Sequence, residues 1–589
     1  MKGPIRIALA AVVLLSLAVA AGVLIYVERP QPTAPVVHLR IAYTLCPIPR
    51  LIKQPFALHM KMVDEVIRAF KEWYLAHFGA RVEVHVGFEE PLIFSRQVGA
   101  GPPEYDVWWG GPYDFFREKL PYLLPYNSTA KEELWNATPI VNGTYCGCPI
   151  MDLNSTTPRW YAWCFYAMCL VYDPSSLQAL GVGVPENWTA LADPRLENMV
   201  IAPDPIVEPF SKHVGLTILA SEIWHLGNET LGWEAAWNTS VVIWAISASP
   251  LGGGAMGGGR PWEGIIEVAI GRKAAIICPD LVAYHMLIEA GYSWLHMTYL
   301  NATLLLPCPV AILDGAVNVD VAKAFVDFLL SPEGQSIVAK HVMPIRPDVR
   351  PRGLVRDPFS PDFPAIRAGK EFNWTFIWTA SEFVYDYHKM WLVVNHDGSG
   401  GPKTLRGAWW WVKKAAEAAE TSENATRYYQ QALANLTRMR DYVRRGDFDR
   451  LYNLTDRWTN KTSYIEKWNN AAKSAYYNAT ESAKKAIECA EENKTAPASP
   501  LPEPAAPQSW MPARLRKPAT STGLRSEEDL SAASQSERAI RPSLPLTMGS
   551  LPSNTQLTKC SSSSLRGSRH SPASSARPLC PSSTTRWER

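Results

Sequence analysis

Residues 37–88 constrain the fold of this 589-residue chain more than any other stretch. Apolar and polar residues alternate from Val37 to Ala42 and again from Arg81 to Phe88, as they do in strands with one buried face. Between these two runs, Met60 to Phe78 repeats apolar residues at helical spacing. A strand, a helix and a second strand in this order predict a parallel βαβ unit, and therefore an α/β fold class.

The N-terminal segment is typical of chains that leave the cytoplasm. Lys2 and Arg6 precede an uncharged run from Ile7 to Tyr26, which spans ~30 Å as a helix. The run is longer than the apolar part of a usual signal peptide, but Ala18-Val19-Ala20 resembles a cleavage site, so an uncleaved anchor and a cleaved signal both stay open. Positive charge before the run predicts that the rest of the chain lies outside. Residues 1–35 are thus predicted to be an anchor or signal segment with a proline-containing tether.

Asparagine usage is a second, independent indication of that location. Fifteen of the 21 asparagines stand in N-x-[ST] sequons, far more than random placement of Ser and Thr would produce. The sequence therefore predicts a heavily glycosylated surface protein, and the missing lipobox cysteine favours an archaeal cell surface. The candidate glycosylation sites are Asn127, Asn136, Asn142, Asn154, Asn187, Asn228, Asn238, Asn301, Asn373, Asn424, Asn435, Asn453, Asn460, Asn478 and Asn493.

The composition changes twice in the C-terminal part of the chain. Residues 403–493 contain no proline and are rich in Ala, Lys, Glu and Asn, which predicts two or three long helices. Five of the sequons, from Asn424 to Asn478, are spaced near whole helical turns and predict one solvent-facing stripe, with chance spacing as the alternative. Residues 494–589 are dominated by Ser, Pro and Arg, so we expect a disordered tail.

Three segments carry motifs whose order and spacing resemble a known family. The first runs from Tyr105 through Trp109-Gly110-Gly111 to Pro112, and the second runs from Leu170-Val171-Tyr172-Asp173-Pro174 to Ile201-Ala202-Pro203-Asp204-Pro205. The third extends from Asp314-Gly315-Ala316 to Pro344-Ile345-Arg346-Pro347-Asp348. They resemble the extracellular solute-binding proteins of ABC importers, in particular the branch that includes iron(III), polyamine and phosphonate binders. The resemblance does not extend to 403–589.

This resemblance implies a two-lobed periplasmic-binding-protein-like fold of type II over residues 36–400. Lobe one would contain about 36–135 and 296–400, and lobe two about 160–295. A ligand would bind in the cleft between them, where Gly110 and Gly111 allow close approach of backbone N–H groups, although a plain tight turn is the alternative. The candidate ligand-binding residues are Tyr43, Thr44, Trp109, Gly110, Gly111, Ser211, Asp280 and Tyr284.

Two further segments bear on the ligand. The glycine-rich loop 250–261 follows a possible strand at Val241–Ser247 and would face the ligand or simply be flexible. Iron(III) binders of this family commonly use adjacent tyrosines, whereas Tyr284 is followed by His285, which counts against ferric binding.

The remaining motifs exclude several other classes of protein. Lys+Arg is 58 and Asp+Glu is 56, so the usual electrostatic case for a nucleic-acid partner is missing. No cofactor or metal site is expected. Instead we expect disulfides, whose connectivity the sequence does not reveal, among Cys146, Cys148, Cys164, Cys169, Cys278 and Cys308.

No catalytic motif stands out, so the chain is not expected to be an enzyme. A pair of glycosidase-type carboxylates is the main enzymatic alternative, and a surface sensor or cell-envelope component with a reused binding fold is another. The sequence therefore predicts an extracellular protein that captures a small solute and delivers it to a membrane permease of an ABC transport system.

Overall fold

The computed structural model describes residues 16, 34–45, 57–203, 213–247, 261–289, 291–364, 384–395, 401–442 and 461–495. The predicted N-terminal anchor lies outside these residues apart from residue 16, and the predicted tail lies outside them apart from 494–495. Among the described residues, no helix has the length and hydropathy that a membrane span requires.

Two main sheets organise the chain. The first sheet has the order β12-β6-β11-β3-β1-β2 and contains β1 (Val36–Tyr43), β2 (Arg81–Phe88), β3 (Val107–Trp109), β6 (Tyr161–Tyr166), β11 (Leu306–Ile312) and β12 (Met343–Pro344). The second sheet has the order β10-β7-β9-β8 and contains β7 (Met168–Tyr172), β8 (Val200–Ile201), β9 (Ala275–Pro279) and β10 (His296–Thr298). A small hairpin is formed by β4 (Thr144–Tyr145) and β5 (Cys148–Pro149).

Helices surround both sheets. Those of the first sheet are α1 (Ala57–Phe78), α2 (Pro91–Gln97), α3 (Tyr113–Glu118), α4 (Lys131–Trp135), α10 (Val319–Leu330) and α11 (Pro332–Val338). Those of the second sheet are α5 (Pro174–Ala179), α6 (His213–Leu226), α7 (Glu229–Ile246), α8 (Pro261–Ala269) and α9 (Asp280–Tyr284). We refer to the first sheet with its helices as lobe one and to the second as lobe two.

The predicted βαβ unit is confirmed. β1 pairs in parallel with β2 from Val36 opposite Arg81 to Tyr43 opposite Phe88. The helix between them buries the apolar face that the spacing predicted, including Val66 and Phe70. Because the strand ends lie at one edge of the sheet, the loops that follow β1 and β3 are brought together there.

The chain passes from lobe one to lobe two over a single residue. β6 ends at Tyr166 in the first sheet and β7 begins at Met168 in the second, with Ala167 between them. The return passage lies between β10 and β11, where the Thr303 hydroxyl donates to the Met168 carbonyl at 3.2 Å. β11 then inserts antiparallel between β3 and β6. This arrangement is the two-lobed fold of type II, so the predicted fold class is confirmed.

The lobe limits differ from those expected from sequence. Tyr161–Tyr166, placed by the sequence in lobe two, is a strand of the first sheet, and His296–Thr298, placed in lobe one, is a strand of the second. The run from β6 to β7 is apolar and fully buried throughout, so its sequence contains no turn signal at the point where it changes sheet. Residues 384–395, also assigned to lobe one, pack on α7 and on the C-terminal helices.

The helices expected within 403–493 are present in the described part of that region: α12 (Leu405–Ala419), α13 (Glu423–Leu436), α14 (Met439–Tyr442) and α15 (Lys461–Thr495). α12 and α14 pack against α7 of lobe two, and α7 is consequently buried on nearly all sides. The predicted strand Val241–Ser247 was wrong because these residues form the last turns of α7. A short, uniformly apolar run is compatible with either a buried strand or a buried helix.

Candidate functional site

The loop after β3 adopts a backbone conformation that requires glycine. Gly110 and Gly111 have φ values of +92° and +113°. The Gly110 N–H donates to the Pro309 carbonyl at 2.9 Å, and the Thr44 hydroxyl donates to the Gly110 carbonyl at 2.5 Å. The Trp108 indole N–H donates in turn to the Thr44 hydroxyl at 2.9 Å. These hydrogen bonds hold the residues that follow β1 and β3 next to each other, beside the junction of the lobes.

A buried carboxylate and imidazole meet between the lobes next to this loop. Asp114 lies in the first turn of α3 in lobe one, and His213 is the first residue of α6 in lobe two. Asp114 Oδ2 lies 3.3 Å from His213 Nε2, and both side chains are at most 1% exposed. A hydrogen bond of 3.0 Å joins His213 Nδ1 to the hydroxyl of Tyr166, the last residue before the crossover. These three residues connect the glycine loop, lobe two and the crossover.

A second polar network lies on the lobe-two side of the crossover. The Ala167 N–H donates to Asp280 Oδ1 at 3.1 Å, and the Tyr299 hydroxyl donates to Asp280 Oδ2 at 2.7 Å. The Tyr284 and Tyr299 oxygens are 2.5 Å apart, and the Arg356 N–H donates to the Tyr284 oxygen at 3.0 Å. Because the Tyr299 O–H is the donor in its hydrogen bond with Asp280, the Tyr284 O–H is the donor in the hydrogen bond between the two tyrosines. The chain of donors therefore runs from the Arg356 backbone through both tyrosines to Asp280.

Burial sets the protonation of this second network. Desolvation raises the pKa of Asp280 to about 7, although hydrogen bonds from Tyr299 and Ala167 act in the opposite direction. Desolvation also raises the pKa of Tyr284 and of Tyr299 well above the usual value for tyrosine. Both phenols therefore stay protonated at neutral pH, while Asp280 can exchange a proton there.

The structure separates the eight candidate ligand residues into distinct groups. Thr44, Gly110 and Gly111 belong to the loop network, and Asp280 and Tyr284 belong to the second network. Ser211 lies outside the described residues. The rings of Tyr43 and Trp109 are 4.9 Å apart, edge to face, and both residues are fully buried in the core of lobe one. Thr44 and Asp280 are just as deeply buried, so all the described candidates stay predictions as ligand contacts.

Sequence reasoning missed Asp114, Tyr166, His213 and Tyr299. Asp114 stands three residues after Gly111 at the start of a helix, a position that could have drawn attention to it. His213 is two residues beyond Ser211, but a single histidine next to an apolar run carries little signal. Tyr299 meets Tyr284 only through folding, so nothing in the sequence pairs them.

The candidate glycosylation sites show a mixed degree of exposure. Twelve of the fifteen asparagines lie in the described residues; Asn373, Asn453 and Asn460 lie outside them. None of the twelve is fully buried; five are half-buried, namely Asn187, Asn238, Asn301, Asn435 and Asn478, and the other seven are exposed. Asn435 donates to the Ser482 hydroxyl of α15 at 3.4 Å, so it faces a neighbouring helix. Asn435 and Asn478 lie on two helices, α13 and α15, so the predicted alignment applies within each helical half and not along one continuous helix.

The aromatic residues of the helical region differ in their exposure. Trp409 is buried, Trp411, Tyr428 and Tyr429 are half-buried, and Trp410 is 43% exposed. Trp410 stays at the surface with the Lys414 ammonium 4.2 Å from its ring centre. Trp458 lies outside the described residues.

The described residues contain no cluster of three or more His, Cys, Asp or Glu side chains that could hold a metal ion. The six cysteines predicted to form disulfides are unlinked in the structure. Cys169 and Cys278 nevertheless lie side by side on β7 and β9, with their Sγ atoms 4.0 Å apart.

Comparison with known proteins finds distant structural likeness only. No protein-family model matches the chain, and no curated protein does. Among solved structures, it is similar to the periplasmic binding protein AfuA from Actinobacillus pleuropneumoniae with exogenous fructose-6-phosphate bound, at 18% identity and a TM-score of 0.40, covering 57% of this chain and 94% of that one. It is also similar to the ferric binding protein from Campylobacter jejuni, at 18% identity and a TM-score of 0.38, covering 59% of this chain and 99% of that one. Such similarity identifies neither a family nor a ligand for this chain.

Proposed function

We propose that this chain is the extracellular solute-binding component of an ABC transport system, which captures a small solute between its lobes and delivers it to a membrane permease. One observation carries the proposal: both passages between the lobes lie side by side, and polar residues from both lobes meet next to them. Lobes joined in this way can rotate about the junction and close on a solute. Binding and release then need no covalent chemistry.

The solute would be polar and would bind the closed form better than the open form. Asp114 and His213 offer a carboxylate and an imidazole from opposite lobes, and Tyr166 offers a phenol at the junction. Backbone groups of Gly110 and Gly111 lie at the same edge of lobe one. A solute that touches both lobes stabilises closure, whereas one that touches a single lobe does not shift the equilibrium.

The proposed location is the outer face of the cell membrane of an archaeal cell, with the chain attached by its N-terminal segment or released after cleavage. The apolar run after Arg6 and the excess of sequons support this location. Seven of the twelve described sequon asparagines are exposed, as attachment of a bulky glycan requires. The partners are the solute, the permease and the membrane, with no nucleic acid and no cofactor.

The test is a thermal-shift screen of the full chain against amino acids, oligosaccharides, sugar phosphates, polyamines and ferric citrate. We expect one class to raise Tm by several degrees at a hundredfold excess over its Kd, because such an excess stabilises the folded state by ~2.7 kcal/mol. Asp114→Asn should weaken that shift, whereas Asp362→Asn, an exposed carboxylate, should not.

Three other results would contradict the proposal. No response from any class would argue against solute capture. Hydrolysis of an oligosaccharide would support the glycosidase alternative instead. A solute that shifts Tm equally in wild type and Asp114→Asn would bind elsewhere on the chain.

A further inference from the structure

Two pairs of cysteines face each other on either side of the crossover at Ala167. In lobe one, Cys164 of β6 is the register partner of Cys308 of β11. In lobe two, Cys169 of β7 is the register partner of Cys278 of β9. All four side chains are buried, so each thiol is shielded from solvent and lies next to the strand that carries its partner.

The ladder geometry of the second pair suits a disulfide. Hydrogen-bonded positions recur at every second residue of an antiparallel pair. The Asp280 N–H donates to the Ala167 carbonyl at 2.9 Å, and the Asp173 N–H donates to the Ala274 carbonyl at 3.0 Å. Cys169 and Cys278 therefore stand at a hydrogen-bonded position, where opposed Cα atoms are ~5.5 Å apart. That separation falls within the range of ~4.4–6.8 Å seen in disulfides.

We infer that Cys169–Cys278 and Cys164–Cys308 are disulfides of the exported protein. The inference rests on the proposed location outside the cytoplasm, where oxidising conditions allow such bonds to persist. Each bond forms by exchange with the disulfide of an external oxidant: two thiols lose two protons and two electrons, one S–S bond forms, and the oxidant is reduced to two thiols.

Burial determines when these bonds form. Desolvation raises the pKa of Cys164 and of Cys169 well above the ordinary value for cysteine. The folded protein therefore exposes almost no thiolate, which is the attacking species in exchange. Oxidation must precede burial, during folding, and the finished bonds are shielded from external reductant.

The positions of the two bonds preserve hinge motion. Cys164–Cys308 joins two strands of lobe one, and Cys169–Cys278 joins two strands of lobe two. Neither bond connects the lobes, so each fixes strands on its own side of Ala167 and leaves rotation about that residue free. Each bond also closes a loop of more than about 100 residues, for which the unfolded chain is strongly restrained.

The direct test is disulfide mapping of the full chain recovered from outside an exporting host, alkylated in denaturant without reduction. Trypsin alone cannot resolve the pairs, because no Lys or Arg lies between Cys164 and Cys169 or between Cys278 and Cys308. Chymotrypsin cleaves at Phe165 or Tyr166 and at Tyr284, which separates them. We expect linked peptides for both pairs, and resistance of both bonds to dithiothreitol until denaturant is added.

Two results would overturn the inference. Four alkylated thiols in exported protein would reject it outright, while leaving solute capture to its own screen. A bond from Cys148, which is also buried in lobe one, to Cys164 or Cys308 would reject the lobe-one pair.

Serine variants provide a second readout that separates cross-linking from packing. Cys169→Ser and Cys278→Ser should each lower Tm by about 10 °C, and the double variant should lose no more than either single one, because all three lack the same bond. Cys489→Ser, on α15, is the matched control and should stay within about 2 °C of wild type. Additive losses in the double variant would show that the cysteines only pack, which overturns the inference.

Discussion

Gly111 illustrates how one backbone conformation holds the edge of lobe one in place. Its φ of +113° is one that side-chain-bearing residues rarely adopt, and an added Cβ would lie 2.9 Å from the Thr44 hydroxyl. We expect Gly111→Ala to lower the free energy of unfolding by roughly 1–3 kcal/mol, measured by urea denaturation. Gly183→Ala is the control, because an added Cβ there meets no atom within 4 Å. An equally small effect of both changes would contradict the strain argument.

Asp280 should make stability depend on pH in an unusual direction. Its pKa is about 7 in the folded protein and ~3.9 in the unfolded chain. Between these values the folded state holds a proton that the unfolded state has lost, so its contribution to stability is complete below pH 4 and is lost as pH rises to about 7. The total change is at most roughly 4 kcal/mol.

Asp280→Asn removes this titration while it preserves the size of the side chain. We expect the difference in free energy of unfolding between wild type and this variant to change in favour of the variant as the pH rises from 4 to 8, because only wild type loses the Asp280 contribution. Asp362→Asn, at the surface, should follow wild type over the whole range. A difference that stays constant from pH 4 to pH 8 would assign the pH dependence to other groups.

The residues of the candidate site differ in how far the sequence could predict them. Gly110 and Gly111 could be singled out as candidates because a local motif contains them. Their positive φ values explain why glycine stands at both positions. Tyr299 and His213 could not be singled out from the sequence, because their partners lie in other elements and only the folded chain brings them together. Tyr43 and Trp109 lie at the ends of the expected strands, but the burial of their rings depends on core packing that the sequence does not reveal.

At the scale of elements, an aromatic seam joins the C-terminal helices to lobe two. The rings of Trp237 on α7 and Tyr387 are 5.2 Å apart, and Tyr387 lies 5.0 Å from Trp468 on α15. Lys413 of α12 forms an ion pair with Glu197, a residue of lobe two. These contacts make the helical region a cover for α7.

Truncation tests this cover. Removal of residues 402–589 should expose the apolar side of α7 and lower Tm by more than about 10 °C, or make the protein insoluble. Removal of 496–589 alone, which retains α12–α15, should leave Tm unchanged. A fragment ending at residue 401 that is as stable as the full chain would show that α7 does not need its cover.

Elements with a clear period were predictable, and those without one were not. β1, α1 and β2 follow directly from alternation and helical spacing, since each has one buried and one exposed face. The segment from Tyr161 to Tyr172 is buried on both faces, so its division between two sheets leaves no periodic trace. The last turns of α7 are uniformly apolar from Val241 to Ile246, so their sequence is equally compatible with a strand.

At the scale of the whole molecule, the contact between Asp114 and His213 joins lobe one to lobe two. Asp114→Asn removes the negative charge while keeping the shape, so we expect a larger share of open molecules. Small-angle X-ray scattering should then give a larger radius of gyration without solute. Asp193→Asn is the control, because Asp193 pairs with the exposed Arg195 within lobe two. Equal radii for the two variants would mean that the Asp114 contact does not hold the lobes closed.

The late position of β11 in the chain has a consequence for biosynthesis. β3 and β6 both pair with β11, which begins at Leu306, so their edges stay bare until that strand has been synthesised and has inserted between them. Lobe two, which lies between β6 and β11 in the chain, can complete its own sheet first. A nascent chain threaded through an export channel would thus present two unpaired strand edges for most of its passage, and such edges invite association with other chains. The early strands of lobe one would depend on rapid delivery of β11, or on a chaperone at the channel exit, to escape aggregation.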